Sequence, residues 1–174
     1  MDQAQATGDA PLVSDTSKNF VSFFFTIKGN VMGEPSQQKS YDGDIMHPSH
    51  LSLDFTMVYA VVVSGTSWNP CGHMLLKTRS GYFHVAEIKG RPRHMTEEGY
   101  KRYLVENGKR EIRRTYVSIP NPGASYRKLQ ELLVKDWSWW VLPNNCAAFV
   151  EDVVRAGGSD AGLYFNCPTR ERFR

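Results

Sequence analysis

The sequence predicts an α+β domain whose sheet is antiparallel. Strand-like segments come first and are followed by a helix, a further strand and two helices, an order typical of α+β proteins. The apolar segment His73–Thr78 is separated from the next one, at 82–89, by only Arg79-Ser80-Gly81, and so short a turn joins two strands as a hairpin. Because no internal repeat is visible, residues 19–174 are expected to form one domain after a flexible lead at 1–18.

Segments rich in aromatic and β-branched residues are predicted as strands. The segment at 51–64 is almost continuously apolar, and we therefore expect it in the centre of the sheet. Residues 29–50 carry Gly, Pro, Ser and Asp throughout, which predicts a long loop that is either disordered or a lid over a site. The predicted strands are residues 19–28, 51–64, 73–78, 82–89 and 109–119, with a short last strand at 163–165.

Three helices follow from helical periodicity and from capping residues. The first is predicted at 96–107, with Thr96 as N-cap and two glutamates in the first turn. The second is predicted at 124–137, and the third begins at Cys146 and ends before Gly157-Gly158. The third helix has one buried face, which is formed by Cys146, Phe149, Val150, Val153 and Val154.

The position of Cys146 at a helix start makes it a candidate nucleophile. Asn144 or Asn145 can cap this helix, because an Asn side-chain oxygen accepts hydrogen bonds from first-turn amides. The free amides and the helix dipole favour a thiolate over a thiol. Cysteine is also a common small core residue, and catalysis therefore needs a base close to Cys146.

His73 is the candidate base among five histidines. His47 and His50 lie in the predicted loop, and His94 lies in a connector where we expect it to be exposed and cationic. His73 and His84 lie on the two strands of the predicted hairpin, and strands hold a ring more rigidly than loops do. His73 also follows Gly72 at the mouth of its strand.

The third catalytic group is His84 or Glu87, and the hairpin register decides between them. A loop of Arg79-Ser80-Gly81 places His73 opposite Glu87. A loop of Ser80-Gly81 places His84 opposite Lys77, on the same side of the sheet as His73. A carboxylate stabilises an imidazolium more strongly, whereas a second histidine orients it with less charge.

The remaining cysteines predict neither a disulfide framework nor a metal centre. Three cysteines without short paired spacing argue against both a disulfide framework and a zinc ribbon. Cys71 is a rival nucleophile without a helix dipole, and Cys167 is expected to be structural or exposed. Cys71, His73 and His84 lack an evident fourth zinc ligand, so we predict no metal and no cofactor.

Composition points to a globular protein with an uneven charge. The net charge is +3, yet arginines and lysines crowd residues 91–114 and the last five residues. These clusters form either a solvated face or a surface for an anionic partner such as phospholipid headgroups, and we expect no nucleic acid partner. The polar start lacks a signal peptide pattern, which predicts synthesis in the cytoplasm and leaves a specialised secretion route open.

The residues around Cys146 and His73 resemble those of a known group. Gly72-His73 at a strand start, His84 eleven positions on, and Asn145-Cys146 opening a helix before Phe149 resemble the circularly permuted papain-like proteins. This permuted NlpC-type group includes the lecithin:retinol acyltransferase-like enzymes, which carry Asn-Cys-Glu-His-Phe where this chain has Asn-Cys-Ala-Ala-Phe. The resemblance implies a sheet packed against the nucleophile helix, with Cys146 as nucleophile, His73 as base and His84 as third member.

The expected function is a cysteine hydrolase or acyltransferase that forms an acyl-thioester on Cys146. A membrane phospholipid ester is the preferred substrate, in phospholipase A-type chemistry. Trp139 and Trp140 would form the acyl-binding wall, and Trp137 would belong to the core. The sequence motifs at residues 72–76 and 144–151 also resemble those of bacterial toxin domains delivered by type VI secretion. That resemblance implies a secretion-machinery partner and an immunity protein. The alternatives are a peptidoglycan amidase or endopeptidase, and a non-catalytic adaptor.

Overall fold

The computed structural model describes residues 39–50, 52, 54–138 and 145–174. The predicted lead at 1–18, the predicted first strand at 19–28 and the two tryptophans Trp139 and Trp140 lie outside the described residues. Within the described part of the chain, no helix has the length and apolar character needed to cross a bilayer. Contacts group all the described residues into one compact unit.

An antiparallel five-stranded sheet forms the centre of the fold. The strands in the described residues are β1 (Val58–Val63), β2 (His73–Thr78), β3 (Gly81–His84), β4 (Lys89–Gly90), β5 (Arg93–Met95), β6 (Glu111–Val117) and β7 (Trp137–Ser138). The strand order in the central sheet is β5-β3-β2-β1-β6, and every neighbouring pair is antiparallel. A separate two-stranded ladder joins β4 to β7.

Helices cover both faces of the sheet. Helix α1 spans Glu97–Glu106, α2 spans Pro122–Leu133 and α3 spans Cys146–Ala156, and a short 3-10 turn lies at Pro48–His50. The larger core joins one face of the sheet to α2 and α3, and the smaller core joins the other face to Tyr100 and Tyr103 of α1. Strand β1 contributes to both cores, which explains why its residues are almost continuously apolar.

Most of the predicted elements in the described region are confirmed, with shorter bounds. Strand β2 has the predicted bounds, and Thr96 caps α1 by accepting a hydrogen bond from the Gly99 amide. The predicted strand at 163–165 is wrong, because no strand forms there. The amides of Tyr164, Phe165 and Cys167 instead donate to the Glu171 carboxylate. A carboxylate that satisfies three amides of one loop replaces the strand partner that they would need.

Two predictions about cysteine and histidine are also wrong. Cys71 and Cys167 form a disulfide, although they are 96 positions apart in sequence. Their pairing excludes Cys71 as a rival nucleophile and as a zinc ligand. His94 is not exposed in a connector, because it is buried on β5 and its Nε2 donates to the carbonyl of Ser80 at 2.8 Å.

Candidate active site

Helix α3 begins at Cys146 because Asn145 caps it. The Asn145 Oδ1 accepts hydrogen bonds from the amides of Ala147 and Ala148, at 2.9 and 3.0 Å. The Cys146 side chain is 6% exposed, and its Sγ accepts a hydrogen bond from the Met74 amide at 3.4 Å. Met74 follows His73 on β2, so the start of α3 lies against the strand that carries the candidate base.

The hairpin adopts a register that neither of our two alternatives described. Thr78 pairs with Gly81, Lys77 with Tyr82 and Leu76 with Phe83, so the loop is Arg79-Ser80. Gly81 has a φ of +126°, in a region that favours glycine, and it is the first residue of the returning strand. This register brings His84 to His73 and leaves Glu87 beyond the end of β3.

The two histidines form a directed hydrogen-bond chain that ends on the main chain. His84 Nε2 lies 2.9 Å from the carbonyl oxygen of Asp42, and His84 Nδ1 lies 2.8 Å from His73 Nε2. A carbonyl only accepts, so His84 Nε2 must donate to it. Neutral His84 then has a bare Nδ1, which accepts the proton of His73 Nε2–H.

This chain leaves the Nδ1 lone pair of a neutral His73 free to act as a base. The sulfur that would give up its proton is held by the residue next to His73. Among the described residues no hydrogen bond joins Sγ to the His73 ring, and catalytic contacts of this kind tighten when substrate binds. The arrangement therefore has the parts of a nucleophile, a base and an orienting group.

Burial keeps this site neutral in the free protein. Burial raises the pKa of the Cys146 thiol, and the nearby amides of Met74, Ala147 and Cys146 and the charge of Lys109 only partly oppose this. Burial, His84 and Lys109 lower the pKa of His73 well below its usual value, and burial lowers the pKa of His84 to about 4. Desolvation of the sulfur raises the thiol pKa more than the first-turn amides lower it, which opposes our expectation of a helix-stabilised thiolate.

Two residues that sequence reasoning missed help to build the site. Asp42 presents its carbonyl to His84, and a main-chain acceptor leaves no signal in a sequence. Lys109, whose pKa burial lowers, places a positive charge near Cys146 and both histidines. In the sequence, Lys109 is one of many cations in the basic segment 91–114, and nothing there singles it out as a site residue.

The other candidate residues take no part in this cluster. Glu87 pairs with Lys39 at 2.8 Å and with Arg93 at 2.9 Å, and these partners lower the pKa of its carboxyl. Trp137 is buried and packs its ring edge-on against Phe149, as a core residue would. Across the part of the chain that the structure describes, no group of three acidic, histidine or cysteine side chains could hold a metal.

Two clefts reach the site. One, of about 310 Å³, is lined by Cys146 and Asn145 and by two loops that contribute Trp68 and Phe165. The other, of about 210 Å³, is lined by His73, Val85 and Glu87. Asn69 lines both clefts, so the cleft that reaches the sulfur adjoins the cleft that reaches the imidazole.

No protein-family model, curated protein or solved structure matches this chain. The fold shown is a mixed α+β architecture with an antiparallel sheet and three helices in the described residues. Function therefore has to be inferred from the geometry of Cys146, His73 and His84.

Proposed function

We propose that the protein is a thiol hydrolase or acyltransferase of the permuted papain-like type, with Cys146, His73 and His84 as its catalytic residues. The observation that carries this proposal is the directed chain from the Asp42 carbonyl through His84 to His73, beside a cysteine that opens a helix. A purely structural histidine pair needs no fixed tautomer, whereas a general base does.

The proposed reaction begins with proton transfer from Cys146 Sγ to His73 Nδ1. The sulfur attacks an acyl carbonyl carbon, and the amide of Cys146 in the first turn of α3 stabilises the oxyanion. Collapse breaks the bond to the leaving group, which takes the proton from His73 and leaves a thioester. His73 then deprotonates water or an acceptor alcohol, which attacks the thioester, and the proton returns to the sulfur.

A neutral orienting histidine suits a site that starts neutral. Because burial lowers the pKa of both histidines and raises the pKa of the thiol, the thiolate–imidazolium pair forms only during the reaction. Charge that appears only in the transition state is stabilised there and not in the ground state. His84 holds the His73 ring in one tautomer throughout.

A membrane phospholipid ester is the proposed substrate. The cleft that reaches Cys146 is lined by Trp68, Phe165 and two prolines, which suits an acyl chain. Trp139 and Trp140 lie outside the described residues, and their proposed role as a substrate wall stays a prediction. A peptidoglycan stem peptide is the alternative substrate, and an adaptor role is the alternative without catalysis.

The disulfide supports a place of action outside a reducing cytosol, because such bonds persist mainly in oxidising compartments. This agrees with the proposed delivery as an antibacterial toxin by type VI secretion. Secretion-machinery and immunity-protein partners follow from that proposal alone.

The deciding experiment incubates the protein with phospholipid vesicles and, separately, with purified sacculi. We expect fatty-acid release from the vesicles, and a loss of at least about a thousandfold in Cys146→Ala and His73→Ala, as for other nucleophile–base pairs. Release of peptide fragments from sacculi alone would support the amidase instead. If neither substrate is cleaved, or if Cys146→Ala stays active, the thiol mechanism is wrong.

A further inference from the structure

Exposed aromatic rings and arginines form one surface beside the cleft of Cys146. Trp68 is 95% exposed, Tyr164 86% and Phe165 74%, and Trp68 and Phe165 line that cleft. Large exposed aromatic groups that cluster in this way mark interaction sites in most proteins. We call this the aromatic–arginine surface, and it consists of Trp68, Tyr164, Phe165, Arg155, Arg170, Arg172 and Arg174.

The two loops that carry the rings are fastened to each other. The Cys71–Cys167 disulfide joins them, and Thr169 adds hydrogen bonds to the carbonyls of Cys71 and Pro70, at 3.1 and 3.0 Å. The loop around Trp68 is also bonded within itself, through reciprocal bonds between Thr66 and Asn69 at 3.1 Å. The rings are therefore exposed on loops that are held in place, and a lack of loop contacts does not explain their exposure.

Glu171 and Arg113 hold the loop that carries Tyr164 and Phe165. The Glu171 carboxylate accepts from the amides of Tyr164, Phe165 and Cys167 at 2.7, 2.7 and 2.8 Å. Arg113 donates to the carbonyls of Pro168 and Glu171. The Glu171 carboxylate is therefore fixed in place by charge-assisted hydrogen bonds, and its negative charge offsets part of the positive charge beside it.

An arginine-lined cleft lies on the other side of this loop. It has a volume of about 710 Å³, and four arginines and two carboxylates line it. Asp160 contributes one carboxylate and Glu171 the other, and Arg155 is also paired with Glu151 at 3.0 Å. The excess of positive charge is complementary to an anionic group. Phe165 lines both this cleft and the cleft of Cys146, so the two lie side by side.

We propose that the aromatic–arginine surface docks the protein on a bilayer that contains anionic phospholipids. The arginines contact lipid phosphates, and Trp68, Tyr164 and Phe165 enter the interfacial layer, where amphipathic and aromatic rings are favoured. The surface lies at the mouth of the Cys146 cleft, so docking presents a lipid ester to the sulfur. That last step rests on the proposed function, whereas the docking itself does not.

Binding is best measured on Cys146→Ala, which cannot turn over the lipid. The protein is sedimented with large vesicles of phosphatidylcholine alone and of phosphatidylcholine with about a third phosphatidylglycerol. We expect partition into the anionic vesicles only, weakened by salt, because such attraction is screened within about 10 Å at 0.1 M. When Arg170→Gln and Arg172→Gln are introduced together into the Cys146→Ala protein, its partition into the anionic vesicles should weaken by about tenfold or more.

The matched control adds Arg91→Gln and Arg127→Gln, two exposed arginines that line neither cleft. This control removes the same charge and should weaken partition much less. Trp68→Ala with Phe165→Ala should lower partition even at high salt, whereas Val105→Ala, an exposed apolar residue on α1, should not.

The proposal is overturned if both vesicle types bind equally, if neither binds, or if the control arginine pair matters as much. It is also overturned if a single-stranded oligonucleotide binds more tightly than the anionic vesicles and loses binding in the same variants. Since no step needs Cys146, absent lipid hydrolysis would sink the proposed function and leave the docking result intact.

Discussion

At the scale of single residues, the site is defined by which atoms donate and which accept. The Asp42 carbonyl can only accept, and this one restriction orients His84 and then His73. Burial also makes His84 harder to protonate and lowers its pKa, because a buried imidazolium loses its hydration. The pH dependence of stability should report that cost directly.

We expect His84 to make the folded protein less stable as pH falls from about 6.5 to about 4. The pKa of His84 is about 4 in the folded state and is near 6.5 when unfolded, so the unfolded chain binds more protons in this window. The free energy of unfolding therefore falls with acid, by up to about 1.4 kcal/mol per pH unit for one histidine.

Urea unfolding of the wild type and of His84→Gln between pH 7 and pH 4 measures this slope. The variant should show a flatter dependence, since carboxylates contribute equally to both proteins. His47→Gln, which changes an exposed histidine, is the control and should keep the wild-type slope. Parallel curves for His84→Gln and wild type would contradict the buried neutral histidine.

At the scale of elements, a segment without regular structure supplies the last member of the chain. Residues 39–47 lie along the sheet edge, where Asp44 and His94 exchange backbone hydrogen bonds at 2.8 and 2.9 Å. Gly43 has a φ of +91°, and a Cβ there would lie 2.9 Å from the carbonyl oxygen of His94. The backbone conformation at Gly43 therefore sets where the Asp42 carbonyl points.

We expect Gly43→Ala to lower kcat by about tenfold or more, because a strained and crowded backbone displaces the acceptor of His84. Asp42→Asn keeps that carbonyl and should change kcat by less than about threefold. Steady-state kinetics on the substrate that the protein cleaves, with circular dichroism as a check on folding, separates the two. Equal losses in both variants would assign the role to the Asp42 carboxylate instead.

The sequence predicted the elements around the site better than it predicted their partners. Local features marked both ends of α3: a capping Asn145 at its start, apolar periodicity along it and a glycine pair at its end. The register of the hairpin was missed, because it depends on whether Gly81 joins the strand or the turn. That choice is made by packing on both faces of β3, which no short stretch of sequence contains.

At the scale of the whole molecule, one covalent bond ties the end of the described chain to the loop before β2. Cys71 and Cys167 are 96 positions apart, and their link closes most of the domain into a loop. A cross-link over so long a loop removes much conformational freedom from the unfolded chain. It also holds together the two loops that line the cleft of Cys146.

Removing this bond should lower the free energy of unfolding by about 2–4 kcal/mol. Urea unfolding with and without dithiothreitol measures the loss in the wild type. The double variant Cys71→Ala with Cys167→Ala should be as unstable as the reduced wild type, and it should not respond to dithiothreitol. A wild type that is equally stable when reduced would argue against a stabilising cross-link.

The sequence by itself determined the strand and helix that carry His73 and Cys146, because capping residues and apolar periodicity act within a few positions. The tertiary structure alone decided that His84 rather than Glu87 touches His73, that Asp42 orients both histidines, and that Cys71 pairs with Cys167. The tertiary structure also decided that Cys146 is buried, which raises the pKa of its thiol. Each of these depends on groups brought together across the fold, and desolvation by distant residues outweighs the local helix start.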